Sequence, residues 1–245
     1  MKCRNFAHRG FSGKYPENTM LAFEKAIEVG CEGIEFDVHF SKDGKLVIVH
    51  DETIDRTSNQ TGFVKDLTYE ELCEADFSYK FQKEYGFQRI PTLEEYLELV
   101  KDKDIITNIE LKTGIFEYLG IEKAVYDLIK KYDLRDQMII SSFNHYSIMR
   151  MKEIDPGIKC GLLTESWLLK AGEYVKNCGV ECFHPIGTML NPATVKEVRD
   201  NGIEINTWTV NRPEEVDYMI NLGVDGIIGN NPDITRRRLK AAGLR

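Results

Sequence analysis

The sequence predicts an α/β protein of the (β/α)8 TIM-barrel class, with a small insertion after the second barrel strand. Three observations carry that expectation. Eight short β-rich segments alternate with amphipathic helical stretches along 245 residues, and evenly spaced β-then-α units imply parallel strands joined by right-handed crossovers. The length suits one barrel domain spanning 1–245, because single α/β barrels routinely reach this size. The polar residues that stand out fall at strand ends, where a barrel gathers its functional groups. An open doubly wound sheet is the alternative, and it usually carries fewer strands.

The strand segments are 4–8, 33–40, 105–112, 138–143, 159–164, 182–185, 205–210 and 226–229. Helical patterns lie between them. Asn18 or Thr19 can cap the first, 19–29, and Gly30 can stop it. Thr92 can cap the second, with Glu94 and Glu95 in its first turn, where the helix dipole favours acids. The patterns 116–132, 145–154, 166–177, 192–201 and 213–221 follow. Pro192 and Pro213 sit where proline opens a helix, and Gly202 and Gly223 sit where helices stop. One segment, 41–91, breaks the rhythm. A structureless loop that long is uncommon, so it should carry structure and function. It begins with a hairpin signal: 36–40 alternates, Lys42-Asp43-Gly44-Lys45 turns and 46–50 returns.

Composition narrows the function class. A net charge of −8 argues against nucleic acid or an anionic membrane as the main partner. The basic cluster Arg236, Arg237, Arg238 and Lys240 reads as the solvated face of the last helix. No apolar run approaches the roughly 18 residues that span a bilayer, so no membrane span is expected. The N-terminus MKCRNFAHRG has no apolar core of the signal-peptide kind. A cytoplasmic address with reduced thiols is therefore expected. The six cysteines are irregularly spaced. Cys178 and Cys182 alone make too few ligands for zinc and read as buried. Nothing in the sequence sets the oligomeric state.

The hairpin brings polar groups together. With Asp43-Gly44 as a two-residue loop, Lys42 faces Lys45 and His50 falls opposite Asp37, on the same face. Glu35 and Asp37 are two apart and share that face. A slip of one residue would send His50 to the other face. Glu110 and Lys112 alternate in the same way at the end of another strand. Burying an isolated carboxylate is unfavourable unless it is paired or ligates a metal. Three carboxylates from neighbouring strands repel one another, and a divalent cation removes the repulsion. All-oxygen ligation favours Mg²⁺, Ca²⁺ or Mn²⁺ over zinc. A salt-bridge network with Arg9 and Lys112 is the open alternative. His8-Arg9-Gly10, at a strand end, offers a general acid/base and a planar fork for phosphate, or equally a core histidine beside a solvated arginine. His39 reads as a rim residue or a substrate contact, His145 as structural, and His184 as structural or pocket-lining.

The motifs in order are more specific than their parts. Ala7-His8-Arg9-Gly10, Pro16-Glu17-Asn18-Thr19, Glu35-Phe36-Asp37-Val38, Lys42-Asp43-Gly44, Val49-His50-Asp51, Asp55-Arg56-Thr57, Pro91-Thr92-Leu93, Glu110-Leu111-Lys112, Trp208-Thr209-Val210-Asn211 and Asp225-Gly226-Ile227-Ile228 succeed one another. This resembles the glycerophosphodiester phosphodiesterase family over nearly the whole length, most densely across 7–112. The resemblance implies the barrel with its insertion. It also implies hydrolysis of small-molecule glycerophosphodiesters to sn-glycerol 3-phosphate and an alcohol such as choline or ethanolamine, within glycerol and lipid metabolism. It implies His8 and His50 as the acid/base pair, with Glu35, Asp37 and Glu110 as ligands of one divalent cation, Ca²⁺ or Mg²⁺, Mn²⁺ being a further option. Arg9 and Lys112 become phosphate contacts, Glu17 the partner that orients Arg9, Asn18 a neighbour of the site and Trp208 part of the pocket wall.

There is one departure: where the family commonly has Thr-Asp before Asn-Pro, this chain has Gly229-Asn230-Asn231-Pro232. Two other readings stand beside the main one. A phospholipase could act on lysophospholipids with the same residues. The insertion's aromatics, Phe63, Tyr69, Phe77, Tyr79, Phe81, Tyr85 and Phe87, would then cover a pocket or meet lipid rather than form the insertion's own core. A binding protein on an inactive barrel should have lost part of the polar set, and all five central residues are present.

Overall fold

The structure, a computed structural model, describes residues 3–244, with the backbone alone at 80, 82 and 83. Along the chain run β1 (Arg4–His8), α1 (Met20–Val29), β2 (Gly33–Phe40), β3 (Leu46–Ile48), α2 (Tyr69–Cys73), α3 (Gln82–Tyr85), α4 (Leu93–Val100), β4 (Ile106–Leu111), α5 (Ile121–Lys131), β5 (Met138–Ser142), α6 (His145–Ile154), β6 (Lys159–Thr164), α7 (Ala171–Asn177), β7 (Cys182–Pro185), α8 (Pro192–Asp200), β8 (Glu204–Thr207), α9 (Pro213–Leu222), β9 (Gly226–Gly229) and α10 (Pro232–Ala241). All strands but β3 pair in parallel, and β1 bonds to both β2 and β9, which closes a (β/α)8 barrel. Among the described residues no helix is long and apolar enough to cross a membrane.

Side-chain alternation explains how one strand serves both core and site. On β2, Phe36 points out to the helices and lies 5.5 Å from the ring of Phe23 on α1 and 4.4 Å from that of Tyr96 on α4. Truncating so buried an aromatic to alanine would destabilise the fold by about 3–5 kcal/mol. Glu35, Asp37 and His39 point the other way. The barrel interior is unusually polar, with Asn108, Ser141, His184 and Asn206 all buried where branched aliphatics are common. Glycines on neighbouring strands make the room: a Cβ on Gly161 would come within 2.6 Å of the His184 ring, and one on Gly226 within 2.2 Å of the Asn206 amide.

The caps expected from sequence form. Thr19 accepts from the Ala22 N–H, and Thr92 forms a reciprocal box with Glu95. Two helices begin later than their patterns suggest. α5 starts at Ile121 rather than near 116, and α7 at Ala171 rather than near 166. Gly120 and Lys170 adopt left-handed backbone, at φ 88° and 56°, which interrupts a right-handed helix. The segments 113–120 and 166–170 are therefore loops at the barrel's C-terminal end. The strand expected over 205–210 runs instead over Glu204–Thr207.

The hairpin register differs from the expected one by one residue. The pairs are Val38–Ile48, His39–Val47 and Phe40–Leu46. The loop holds three residues, not two. Ser41 N–H donates to the Lys45 carbonyl, and Gly44 takes the left-handed conformation at φ 78°, the pattern of a turn with a glycine bulge. Asp37 therefore faces Val49, whose N–H donates to the Asp37 carbonyl, and His50 is not opposite it. The insertion's core is largely aliphatic: Val47, Val49, Ile54, Val64, Leu72, Ala75 and Ile90 pack with Phe77 as its only fully buried aromatic among the described side chains. Tyr69 packs half-buried against it, and the remaining aromatics lie elsewhere. Phe63, Tyr79 and Phe87 are exposed. Tyr85 leaves the insertion to stack on Tyr15 and donate to the Lys14 carbonyl.

Candidate active site

Strand ends β1, β2 and β4 deliver the acidic cluster. His8 pairs with Glu35 in register, and Asp37 with Glu110. One carboxylate oxygen from each of Glu35, Asp37 and Glu110 lies within 4.8 Å of the other two. All three residues are buried. Arg9 and Lys112 reach in from either side. The Arg9 Nε is 3.7 Å from Asp37, and the Lys112 Nζ is 2.9 Å from Glu110 and 3.8 Å from Asp37. Asn18 donates its amide to Asp37 at 3.1 Å. Glu17 accepts from Arg9 at 2.9 Å, the orienting contact the sequence suggests. A cavity of about 360 Å³ opens over this cluster, lined on its polar side by His8, Arg9, Glu35, His50, Glu110 and Lys112. Its apolar side includes Ile115, Phe143 and Trp208. Trp208 stands edge-on to Phe143 and donates its indole N–H to the His184 carbonyl.

His50 reaches the site by a route the hairpin argument did not foresee. The chain leaves β3 at Ile48, so face alternation no longer governs His50. Its ring comes within 3.4 Å of the Lys112 ammonium. Partners fix its tautomer. Asp51 accepts from Nδ1 at 2.5 Å, and the lysine, which can only donate, meets Nε2. His39 fixes the backbone there, its Nε2 donating to the His50 carbonyl at 3.2 Å while its Nδ1 accepts from the Tyr118 hydroxyl at 3.1 Å. With both ring nitrogens engaged and no exposed surface, His39 is neither a rim residue nor a substrate contact. His8 donates from Nδ1 to the Asn230 side-chain oxygen at 2.6 Å and turns Nε2 toward Glu35, 3.8 Å away. Asn230 belongs to the segment where the sequence departs from the family pattern. Its own N–H is held by Asn211 and its carbonyl by the N–H of Gly13.

The electrostatics follow from burial and crowding. Burial pushes Glu35 well up, and Asp37 and Glu110 push it further. Burial also raises Glu110, against the pull of Lys112. Burial would raise Asp37 too, but the charges of His50, Arg9 and Lys112 outweigh it and hold Asp37 well below the usual range. His8 is lowered to about 4, first by burial and then by Arg9, so its ring is uncharged at neutral pH. The salt-bridge alternative is thus realised only in part. Counted as ionised, the carboxylates of Glu17, Glu35, Asp37, Asp51 and Glu110 outnumber the cations Arg9, Arg56 and Lys112 by two. The excess negative charge matches one divalent cation. Asn18 Oδ1, buried beside Asp37 without a hydrogen-bond partner, is a further hard oxygen donor. The residues therefore fit a hard cation.

The remaining histidines stand apart. His145 bonds Tyr174 and the Leu163 carbonyl and is structural. His184 is fully buried, bonds Asn206 and does not line the cavity, which corrects the pocket-lining option. Cys182 is buried and Cys178 partly so. Sequence reasoning missed Asn230, Arg56 and the bracing role of His39. The motifs contain Asp51 and Arg56, but their partners come from distant segments that spacing does not connect.

The pattern of the Glycerophosphoryl diester phosphodiesterase family matches residues 8–234. The chain is 45% identical, over 95% of its length and 96% of the relative's, to a glycerophosphodiester phosphodiesterase of Caldanaerobacter subterraneus subsp. tengcongensis. It is 42% identical to one of Bacillus altitudinis, over 93% and 94% of the two chains. Among solved structures it resembles an Oleispira antarctica phosphodiesterase in complex with the product sn-glycerol-3-phosphate, with a TM-score of 0.88, 26% identity and coverage of 96% of each chain.

Proposed function

The chain belongs to the glycerophosphoryl diester phosphodiesterase family, and we propose that it hydrolyses glycerophosphodiesters to sn-glycerol 3-phosphate and an alcohol with two histidines and one divalent cation. The observation that carries this reading is the convergence of the Glu35, Asp37 and Glu110 oxygens within 4.8 Å, flanked by His8, His50, Arg9 and Lys112 around one cavity. The product in the Oleispira antarctica relative supports the substrate class.

Glu35, Asp37 and Glu110 would hold Ca²⁺, Mg²⁺ or Mn²⁺, with Asn18 beside them. Such an ion supplies Lewis-acid stabilisation of charge on phosphoryl oxygen. Arg9 and Lys112 bind and orient the phosphodiester and offset charge as the pentacovalent state forms. His8, uncharged at neutral pH, takes the proton of the nucleophile at Nε2. His50 acts as the acid in its imidazolium form, giving its Nε2 proton to the leaving alkoxide while Asp51 holds Nδ1–H. Trp208 and Phe143 close the apolar side of the cavity. The test is turnover of a panel of glycerophosphodiesters with identification of the phosphate-bearing product. Release of sn-glycerol 3-phosphate is expected, and release of free phosphate or of a phosphorylated head group contradicts the reading.

A second reading, hydrolysis of lysophospholipids, is favoured by one observation outside the insertion. Loops after β4 and β6, with the first turn of α6, expose Ile115, Leu119, Tyr146, Trp167 and Leu169, the last at 96%, and Ile115 also lines the cavity. Such a rim could accompany an acyl chain. Turnover of lysophosphatidylcholine at or above that of glycerophosphocholine, reduced by Trp167→Ser and Leu169→Ser, would support it. Turnover of the water-soluble diester alone removes it.

A further inference from the structure

Arg56 lies in the insertion, yet its guanidinium touches two groups that serve different parts of the site. Its Nε and Nη2 donate to Asp51 at 2.6 and 3.1 Å. Its Nη1 and Nη2 donate to Glu17 at 2.8 Å each. Asp51 is the carboxylate that holds His50 Nδ1, and Glu17 is the carboxylate that holds Arg9. A continuous chain of charge-assisted bonds therefore runs His50–Asp51–Arg56–Glu17–Arg9. It joins the candidate proton donor to the candidate phosphate anchor through one side chain.

We propose that Arg56 is a shared positioning residue, by which the insertion sets the orientation of His50 and Arg9 at once. This rests on the reading of the site given above. Only the planar fork of arginine can present paired donors to two carboxylates. Lysine, a single point donor, can serve one of them well but not both. Arg56 also keeps each carboxylate from over-pairing with its catalytic neighbour. Without it, Glu17 would bind Arg9 alone and draw the guanidinium away from phosphate. Asp51 would lose the contact that fixes its own carboxylate plane and, through it, the His50 ring. Exposed ion pairs usually contribute little. Two bidentate contacts on one guanidinium are the geometry in which that rule is weakest.

A merely structural brace would tie the insertion down and move stability, leaving chemistry alone. The shared clamp divides differently. Glu17→Gln should raise KM for glycerophosphocholine severalfold with kcat nearly intact. Asp51→Asn should lower kcat with KM nearly intact. Arg56→Gln should do both, with kcat falling about 10–100-fold, the range for groups that orient ligands in a site. Arg56→Lys should restore one parameter but not the other. Two readouts are independent of turnover. Inorganic phosphate should bind Arg56→Gln at least about fivefold more weakly than wild type. In protein labelled with ¹⁵N at its five histidines, the resonance of His50 Nδ1 should change on substitution at Arg56 while that of His145 stays put. The clamp is refuted if folded Arg56→Gln or Arg56→Lys keeps both kcat and KM within twofold of wild type, or if Arg56→Gln alters only one of them. If wild type fails to turn over the diester, the functional reading falls, and phosphate affinity with the His50 resonance decides the clamp by itself.

Discussion

Replacing Asn230 by leucine tests how the site prepares His8. The ring is mostly buried, and its one hydrogen bond runs from Nδ1 to the Asn230 oxygen at 2.6 Å. That bond places the proton on Nδ1 and leaves the Nε2 lone pair facing the cavity. Leucine has a similar size and no acceptor. The buried Nδ1–H would then lose a partner, a loss of about 1–3 kcal/mol. The ring avoids that penalty by moving its proton to Nε2 or by rotating, and either removes the base from the reacting atom. A preference of about 1.4 kcal/mol corresponds to tenfold, so kcat should fall about 10-fold or more. Arg9, Lys112 and the carboxylates are untouched, so KM should stay within about twofold. Asn230→Asp keeps an acceptor in place and should stay within about threefold of wild type in kcat. The assay is steady-state release of sn-glycerol 3-phosphate with thermal unfolding as the control for folding. A folded Asn230→Leu enzyme with kcat within twofold of wild type would refute the reasoning.

Further outcomes follow from the same geometry. His8→Ala and His50→Ala should each lower kcat by about 10² or more, the usual range for general acid–base groups, and near-normal turnover in either removes that residue from the mechanism. Burial lowers His184 from 6.5 to about 3, so between those values the unfolded chain binds a proton that the folded chain refuses, and stability falls as pH falls through the window. At pH 5 this amounts to about 2 kcal/mol relative to pH 7. Denaturant unfolding of His184→Gln should therefore show a shallower decline from pH 7 to pH 5 than wild type, and parallel declines would contradict the assignment.

The barrel was legible because its signals are local. Period-two strands, capping threonines and helix-stopping glycines each act within a few residues, and Thr19, Thr92 and Gly223 sit where sequence places them. Left-handed backbone at Lys170 was not legible, since lysine carries no such preference, and so the start of α7 was placed too early. The hairpin shows how fine the margin is. Lys42-Asp43-Gly44 supports a two-residue or a three-residue loop, and the structure takes the second. The cluster survives that slip only because His50 lies beyond the paired strand. Glu35, Asp37 and Glu110 were readable as acids in strands that are otherwise apolar. Asn230 and Arg56 were not, because their function lies in partners 222 and 39 residues away in sequence, and pairing across such distances is set by barrel closure and by the folding of the insertion.

The most direct test of the account is the rate of sn-glycerol 3-phosphate release from chelator-treated protein as a divalent cation is added back. The crowded carboxylates predict a nearly inactive chelated enzyme, recovery with about one cation per chain, and no recovery in Asp37→Asn at the same cation concentration. Full turnover in the presence of chelator, or equal recovery in Asp37→Asn, would contradict it.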